Sequence, residues 1–307
     1  MNRVLVTGAT GFIGRESIPF LVRERYDVHG VHFGSSPDSE LAGVTWHRTD
    51  LLNQSETIEL IRDVRPTHLL HLAWRVTPQD YWTSPENVRW LESSVGLIQT
   101  FCENGGKRAV VAGTCAEYDW RHSPLSEAST PLLPSTLYGI CKDSLRRRVG
   151  EISERTGLST AWGRIFFLYG PHDPEERLVP SAIRSLLKCQ AVPLRHPDHE
   201  RDYLHVRDVA GAFVALLNTS VRGPVNVASG SPVVLRRIVE YLAARMGKRD
   251  FLVPAAEESG CDDQPPSIVA DVGRLRSEVG WRPSIGLEAG LDETLEWFKG
   301  KYSRGHP

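Results

Sequence analysis

The chain has little of what would place it in several common classes of protein. No apolar run approaches the ~20 residues that a membrane-spanning helix needs, and residues 1–7 are predicted to form a strand, which leaves no room for a signal peptide. The formal net charge is −2, so nothing electrostatic favours nucleic acid or a membrane as partner. The 5 cysteines are odd in number and widely spaced, at Cys102, Cys115, Cys141, Cys189 and Cys261. We therefore expect a reduced, cytoplasmic protein with neither a disulfide framework nor a metal site.

What the sequence does contain is an alternation of strand and helix patterns. Strands are predicted at Asn2–Val6, Asp27–Phe33, Val44–Arg48, Pro66–Leu72 and Arg108–Thr114. Apolar residues at helical spacing predict helices at Phe12–Arg25, Ser55–Val64 and Asn87–Cys102. The strands are nearly continuous apolar runs, as is typical of strands covered on both faces. This pattern predicts an α/β fold, with a Rossmann-type doubly wound parallel sheet.

The pattern changes after Pro171. Prolines, charges and short segments dominate up to Arg201, and the stretch from Asp250 to Pro266 is also loop-like. We predict a dinucleotide-binding domain over residues 1–170, with return segments from 203–229. Residues 171–202 and 230–307 are predicted to form a smaller, discontinuous C-terminal lobe that binds substrate and closes over the carboxyl ends of the strands.

A glycine-rich loop lies where the first predicted strand meets the first predicted helix. Gly8, Gly11 and Gly14 would allow a tight turn, close approach of the backbone to a pyrophosphate, and close packing of helix on strand. Three intervening residues, Thr10, Phe12 and Ile13, belong to the same expected site. The alternative is a glycine turn without a ligand, but the flanking strand and helix favour dinucleotide binding.

The choice of dinucleotide depends on the end of the second strand. NAD enzymes usually have an acidic residue there, whereas this chain has His32 followed by two hydroxyls, Ser35 and Ser36. We therefore expect NADP(H) to be preferred, with NAD(H) possible. Asp50, with its neighbour Leu51, follows the third strand and is a candidate partner for the adenine amino group. The alternative role of Asp50 is a helix N-cap.

A candidate acid/base pair, Tyr138 and Lys142, stands four residues apart and so shares one face of a helix. A phenol has a pKa of ~10, and a nearby ammonium would lower this pKa by roughly 1–3 units. Thr114, at the end of the fifth predicted strand, could then donate to the substrate oxygen. A chance Tyr-x-x-x-Lys and a turn-capping threonine are the alternatives. The position of Tyr138, Lys142 and Thr114 downstream of a glycine loop favours a catalytic role for these residues.

With these residues the chain resembles the extended short-chain dehydrogenases/reductases that act on nucleotide sugars, the NAD-dependent epimerase/dehydratase family. The resemblance covers nearly the whole chain. Its motifs are Gly8/Gly11/Gly14, His71-Leu72-Ala73, Thr114, Tyr138 with Lys142, Tyr169-Gly170-Pro171, Arg201-Asp202-Tyr203-Leu204-His205-Val206-Arg207-Asp208-Val209 and Gly280-Trp281-Arg282-Pro283.

The resemblance implies further site residues. Leu72 and Ala73 would contact the dinucleotide, and Arg201 would contact the diphosphate of a nucleotide-linked sugar. An ion pair with Asp202 or Asp208 is the alternative role of Arg201. The other expected substrate contacts are Trp74, Arg75, Cys115, Ala116 and Arg177. The tryptophans at Trp74, Trp82 and Trp120 could stack on a hexose or belong to the core.

The resemblance also narrows the reaction. The 4,6-dehydratases of the family follow the threonine with Asp-Glu, but this chain has Cys115 and Ala116, so dehydration is not expected. The resemblance implies reduction of a nucleotide-linked 4-keto-6-deoxyhexose at C4, or else 4-epimerisation with a retained NAD. A non-catalytic dinucleotide sensor or assembly subunit is the alternative from another class. The resemblance also implies a homodimer, formed through the helix that bears Tyr138 and the helix before it.

Overall fold

A computed structural model describes residues 2–34, 37, 41–78, 80–254 and 265–303 of the chain. The strands are β1 (Arg3–Thr7), β2 (Asp27–His32), β3 (Val44–Arg48), β4 (His68–His71), β5 (Arg108–Thr114), β6 (Ser159–Ile165), β7 (Phe167–Tyr169), β8 (Val192–Leu194), β9 (Glu200–His205), β10 (Gly223–Val227), β11 (Pro232–Val234), β12 (Leu252–Pro254) and β13 (Ser267–Ile268). The helices are α1 (Phe12–Arg23), α2 (Gln54–Val64), α3 (Glu86–Glu103), α4 (Leu137–Thr156), α5 (Leu178–Leu187), α6 (Val206–Leu217), α7 (Leu235–Arg245), α8 (Gly273–Ser277) and α9 (Leu287–Ser303).

A parallel seven-stranded sheet, in the order β10-β6-β5-β4-β1-β2-β3, forms the centre of the described structure. Alternate residues of each strand face opposite layers of helices. In β1, for example, Val4 and Val6 pack in the same core as α1 and α6, whereas Leu5 packs in the core formed with α2, α3 and α4. The predicted doubly wound α/β fold is therefore confirmed.

The return segment brings a late part of the chain back to this sheet. Strand β10 pairs with β6 in parallel, and α6 packs beside α1 on one face. The buried carboxylate of Asp208 in α6 accepts hydrogen bonds from the backbone N–H groups of Ser284 and Ile285. These bonds tie the segment before α9 to the helix layer.

A second core joins α5, α7 and α9 beside two small sheets. The segment from Pro171 to Arg201 was expected to be irregular, and this expectation is wrong because α5 lies within it. Val179, Ile183 and Leu186 are buried on one face of α5, at a spacing that is helical but spans only two turns. Strand β8 follows and pairs with β12. No helix in the described ranges is long and apolar enough to cross a membrane.

Candidate active site

The glycine loop forms a cradle at the carboxyl end of β1. Gly8 has φ +68°, and a Cβ on it would lie 2.9 Å from the backbone nitrogen of Ala73. A Cβ on Gly14 would lie 2.1 Å from the carbonyl oxygen of Gly8. Gly11 is the N-cap residue of α1 and makes no side-chain capping hydrogen bond. The N–H groups of the first turn are therefore available to an anionic ligand. This cradle fits the diphosphate of a dinucleotide.

A cavity of about 420 Å³ extends from this loop to α4. It brings together most of the residues that the sequence singled out. Those predicted residues that line it are Gly8, Gly11, Phe12, Ile13, Gly14, Leu72, Ala73, Trp74, Thr114, Cys115, Tyr138, Lys142 and Arg177.

Tyr138 and Lys142 lie on one face of α4, as their spacing predicts. The helix begins after Thr136, whose side chain accepts a hydrogen bond from the N–H of Gly139. The Tyr138 phenol lies near the side chain of Thr114, and both residues line the cavity. Thr114, Tyr138 and Lys142 thus converge at the carboxyl end of β5, beside the glycine loop.

Lys142 is buried beneath this group. Its Nζ donates to the carbonyl oxygen of Ala112 at 3.0 Å and lies 3.8 Å from the centre of the Trp74 ring. The Trp74 indole is held by a hydrogen bond from its Nε1 to Oδ1 of Asn87. Trp74 therefore has a position that the sequence did not indicate, in which it contacts the ammonium directly.

Burial dominates the titration of both catalytic candidates. It lowers the pKa of Lys142 to about 7 and raises the pKa of Tyr138 above its ordinary value, although the nearby Thr114 side chain acts in the opposite direction. The expectation that the ammonium would lower the pKa of the phenol is therefore wrong for this structure. Removal of water from both groups outweighs their mutual effect. Tyr138 consequently holds its proton at neutral pH and is suited to donate it.

An aromatic wall encloses the Tyr138 end of the cavity. We define it as Tyr81, Trp82 and Trp120, all of which line the cavity. The Tyr81 and Trp82 rings stand edge-on to Tyr138, with centroids 5.1 and 5.7 Å away. The backbone oxygen of Trp82 accepts the N–H of Tyr138, and Nε1 of Trp120 donates to the Cys115 oxygen. Trp82 and Trp120 therefore face the cavity and also contact neighbouring residues of the protein.

Some predicted substrate residues lie elsewhere in the described structure. Arg75 forms an ion pair with Glu86 and does not line the cavity. Ala116 is buried behind the cavity in a 3-10 turn. The Cys115 thiol does line it, and burial raises its pKa to about 12, so the group stays neutral.

Arg201 is almost fully buried in β9 and lies outside the residues that line this cavity. One guanidinium nitrogen donates to the backbone oxygen of Glu200 at 2.8 Å, and the group lies 5.6 Å from the Phe167 ring. Asp202 accepts hydrogen bonds from the backbone of Ser229 and two other residues. Arg201 therefore lies in β9 beside Phe167, which lines the cavity.

The residues predicted around the adenosine half lie at the ends of β2 and β3. His32 is the last residue of β2, its ring edge-on to Trp46. Oδ1 of Asp50 accepts the N–H of Leu52, and α2 is capped by Asn53 instead. The alternative role of Asp50 as the N-cap is therefore wrong. Of the remaining predicted residues, Leu51 is buried and Thr10 lies in the glycine loop, whereas Ser35 and Ser36 fall outside the described residues.

Two acidic residues at the site were not anticipated. Asp173 lines the cavity, is 3.4 Å from the Arg177 guanidinium, and has its pKa raised to about 7 by burial. Glu117 lies just behind Thr114 and is completely buried. The spacing Thr-x-x-Glu from Thr114 to Glu117 is that of a capping box. This spacing is the sequence signal that could have identified Glu117. Asp173 had no such signal beyond its position after Tyr-Gly-Pro.

A parallel sheet, a diphosphate cradle and a threonine–tyrosine–lysine group in one cavity define a dinucleotide-binding α/β protein with a candidate proton donor. The model of the NAD dependent epimerase/dehydratase family matches residues 4–228. The chain belongs to this family.

Known relatives cover nearly the whole chain. It is 23% identical to dTDP-4-dehydro-6-deoxyglucose reductase of Escherichia coli over an alignment of 318 positions, which covers 98% of each protein. It is 28% identical to dTDP-6-deoxy-L-talose 4-dehydrogenase (NAD(+)) of Aggregatibacter actinomycetemcomitans, covering 78% of this chain and 89% of that protein. The structure resembles the UDP-glucose 4-epimerase of Thermus thermophilus in complex with NAD, with a TM-score of 0.83, 25% identity, and coverage of 97% and 99%.

Proposed function

We propose that the protein is an NAD(P)-dependent oxidoreductase that reduces a nucleotide-linked 4-keto-6-deoxyhexose at C4. The observation that carries this proposal is that Thr114, Tyr138 and Lys142 line the same cavity as the glycine loop. A relative of similar length is a dTDP-4-dehydro-6-deoxyglucose reductase, which supports the choice of reaction.

In this proposal Gly8, Gly11 and Gly14 hold the diphosphate of the dinucleotide. When bound, the nicotinamide supplies a hydride to C4 of the sugar. Thr114 orients the carbonyl oxygen, and Tyr138 donates its phenolic proton to that oxygen as negative charge develops there. Lys142 keeps a positive charge close to the phenol, and the phenolate that Tyr138 becomes takes up a proton from solvent between turnovers.

The aromatic wall supports a 6-deoxy sugar. Trp82 and Trp120 present apolar ring surface beside the position where Tyr138 would meet the sugar. A methyl group fits such a surface without loss of hydrogen bonds, whereas a carboxylate or hydroxyl at C6 would lose hydration there. Arg177, which lines the cavity, is the proposed contact for the diphosphate of the nucleotide sugar, and Arg201 is proposed as a second contact from β9 behind Phe167.

The test uses dTDP- and UDP-linked 4-keto-6-deoxyglucose with NADPH or NADH. We expect nicotinamide absorbance to fall in proportion to the 6-deoxyhexose formed. Because β2 ends in His32 and not in an acidic residue, we also propose that NADPH has the lower KM of the two reductants. A strong preference for NADH would contradict the cofactor assignment but leave the reaction intact.

A nucleotide-sugar 4-epimerase with retained NAD is the second candidate, because the similar Thermus thermophilus structure is that of a UDP-glucose 4-epimerase with NAD. It would interconvert nucleotide hexoses without added cofactor and without a net change in nicotinamide absorbance. Turnover of UDP-glucose under those conditions, together with no reduction of the keto sugars, would replace the reductase proposal.

Substitution of Trp82 by alanine is expected to weaken selection for the 6-deoxy sugar. Loss of the ring removes apolar contact worth about 1–2 kcal/mol, or roughly a 5–30-fold rise in KM for the keto-deoxy substrate. The backbone hydrogen bond to Tyr138 remains. Steady-state kinetics with 6-deoxy and 6-hydroxy substrates would measure the ratio, with Trp297→Ala in α9, which does not line the cavity, as control. An unchanged ratio would remove Trp82 from the sugar site.

We further propose that residues 171–202 and 230–307 supply the substrate lobe and that the protein works in the cytoplasm.

We also propose a homodimer formed through α3 and α4, which pack side by side. Val88 on α3 and Ile140 on α4 are exposed large hydrophobic residues, which supports a contact there. Light scattering of the purified protein should give twice the 34.3 kDa chain mass, and the Val88→Glu, Ile140→Glu double variant should give the single mass.

A further inference from the structure

Glu117 connects the catalytic candidates to the core. Its Oε1 accepts the backbone N–H of Thr114 at 2.8 Å and Nε1 of Trp162 at 2.9 Å. Its Oε2 accepts Nε of Arg164 at 2.7 Å. Both members of this ion pair are almost completely excluded from solvent. A buried carboxylate with every oxygen occupied holds its neighbours in one arrangement.

The same arrangement includes a hydrogen bond to the hydroxyl oxygen of Thr114. Thr114 and Glu117 form a reciprocal capping box around the 3-10 turn. Within it, Oγ1 of Thr114 accepts the N–H of Ala116 at 3.2 Å. This bond occupies one of the two acceptor sites on the hydroxyl oxygen and leaves the hydroxyl hydrogen available to a group in the cavity.

Arg164 extends the network away from the cavity. It donates through Nη1 to the Tyr118 hydroxyl at 2.8 Å, and that hydroxyl is 2.8 Å from Oδ1 of Asn226. The Asn226 amide donates in turn to the backbone oxygens of Leu125 and Asp271. Thr114 is thus anchored through side chains to β6, β10 and the segment before α8.

Glu117 also acts on Lys142 through its charge. Burial lowers the pKa of Lys142, and the Glu117 carboxylate opposes that shift. The other titratable groups facing Lys142 are His71 and Tyr138. His71 stays neutral because burial lowers its pKa to about 3, and Tyr138 stays protonated because burial raises its pKa.

We propose that Glu117 is a positioning residue for this site, which sets the orientation of the Thr114 hydroxyl and places a negative charge within electrostatic reach of Lys142. The kinetic part of this inference depends on the proposed function. The effect on Lys142 does not.

The experiment compares Glu117→Gln with the double variant Glu117→Gln, Arg164→Gln. The single variant leaves a buried guanidinium without its carboxylate, whereas in the double variant two neutral amides can hydrogen-bond to each other. Asp208→Asn is the control, since Asp208 is also a buried, fully hydrogen-bonded carboxylate but lies in α6. The titration of Lys142 is followed by NMR on protein with ¹³C-labelled lysine. The chain has only six lysines, so the resonance of Lys142 can be assigned as the one that is missing in Lys142→Arg.

We expect the midpoint of Lys142 to fall by about 1 pH unit in folded Glu117→Gln, as loss of an opposite charge requires, to fall less in the double variant, which also removes the positive charge of Arg164, and to stay unchanged in Asp208→Asn. With the keto sugar, kcat should fall ~10–100-fold, while KM should change less than about threefold, because the Thr114 contact strengthens in the transition state. An unchanged Lys142 midpoint, or the same shift in Asp208→Asn, would overturn the inference. Absence of turnover by the wild type with a shifted midpoint would instead count against the proposed function alone.

Discussion

Substitution of Tyr138 by phenylalanine is expected to lower kcat by ~10²–10⁴-fold, the range typical of loss of a general acid. Phenylalanine keeps the ring that packs edge-on against Tyr81 and Trp82 and removes only the hydroxyl. The cavity shape and the glycine loop are unchanged, so KM for the sugar and the Kd of the dinucleotide should shift little. Steady-state kinetics and a fluorescence titration with NADPH would measure the three quantities.

Tyr241→Phe is a matched control, because it removes a tyrosine hydroxyl from α7, outside the cavity. Its kcat should stay within about twofold of the wild type. If Tyr138→Phe kept full turnover, another group would have to supply the proton. If the wild type had no turnover and both variants bound dinucleotide equally, a sensor or assembly role would account better for the geometry of the cradle.

The parts of the site that depend on local geometry were predictable from the sequence. The pairing of Tyr138 with Lys142 follows from helical periodicity, since residues four apart share a face. The cradle follows from glycines at Gly8 and Gly14, where the backbone leaves no room for a Cβ. The position of Thr114 follows from the end of a buried strand. Each of these inferences needs only a strand, a turn or a helix.

The parts that depend on contacts between distant segments were not predictable. Trp74 covers Lys142 because α3 holds its indole through Asn87, which no local pattern shows. Glu117 and Arg164 are 47 residues apart and meet only because β5 and β6 are neighbours in the sheet. The direction of the pKa shift of Tyr138 depends on burial, which a helical spacing alone does not specify.

Substitution of Lys142 by methionine is expected to stabilise the protein while impairing its chemistry. Lys142 is buried, and its pKa falls from the ordinary 10.5 to about 7, so folding with a charged Lys142 is costly. Methionine removes that cost but loses the hydrogen bond to the Ala112 oxygen, worth about 1 kcal/mol. The net gain at pH 6 should be roughly 2–4 kcal/mol in the free energy of unfolding, measured by urea unfolding without dinucleotide.

The pH dependence distinguishes this cause from improved packing. Below pH 7 the lysine is protonated in both the folded and the unfolded chain, and the full cost is present. Between pH 7 and 10.5 the folded state has released the proton while the unfolded state retains it, so the wild type gains stability as pH rises. The advantage of Lys142→Met should therefore shrink above pH 7 and disappear near pH 10.5. A gain that did not change with pH would indicate packing instead.

Lys299→Met provides the control for both measurements. Lys299 is partly exposed and pairs with Glu296 on the surface, so its loss should change stability by less than about 0.5 kcal/mol at any pH. In Lys142→Met the kcat should fall at least ~10²-fold, because the phenol loses its cationic neighbour. A variant that is both more stable and less active would show that the buried ammonium is retained for catalysis, against its cost in folding. A less stable variant at pH 6 would mean that the contacts of Lys142 with Ala112 and Trp74 outweigh its desolvation.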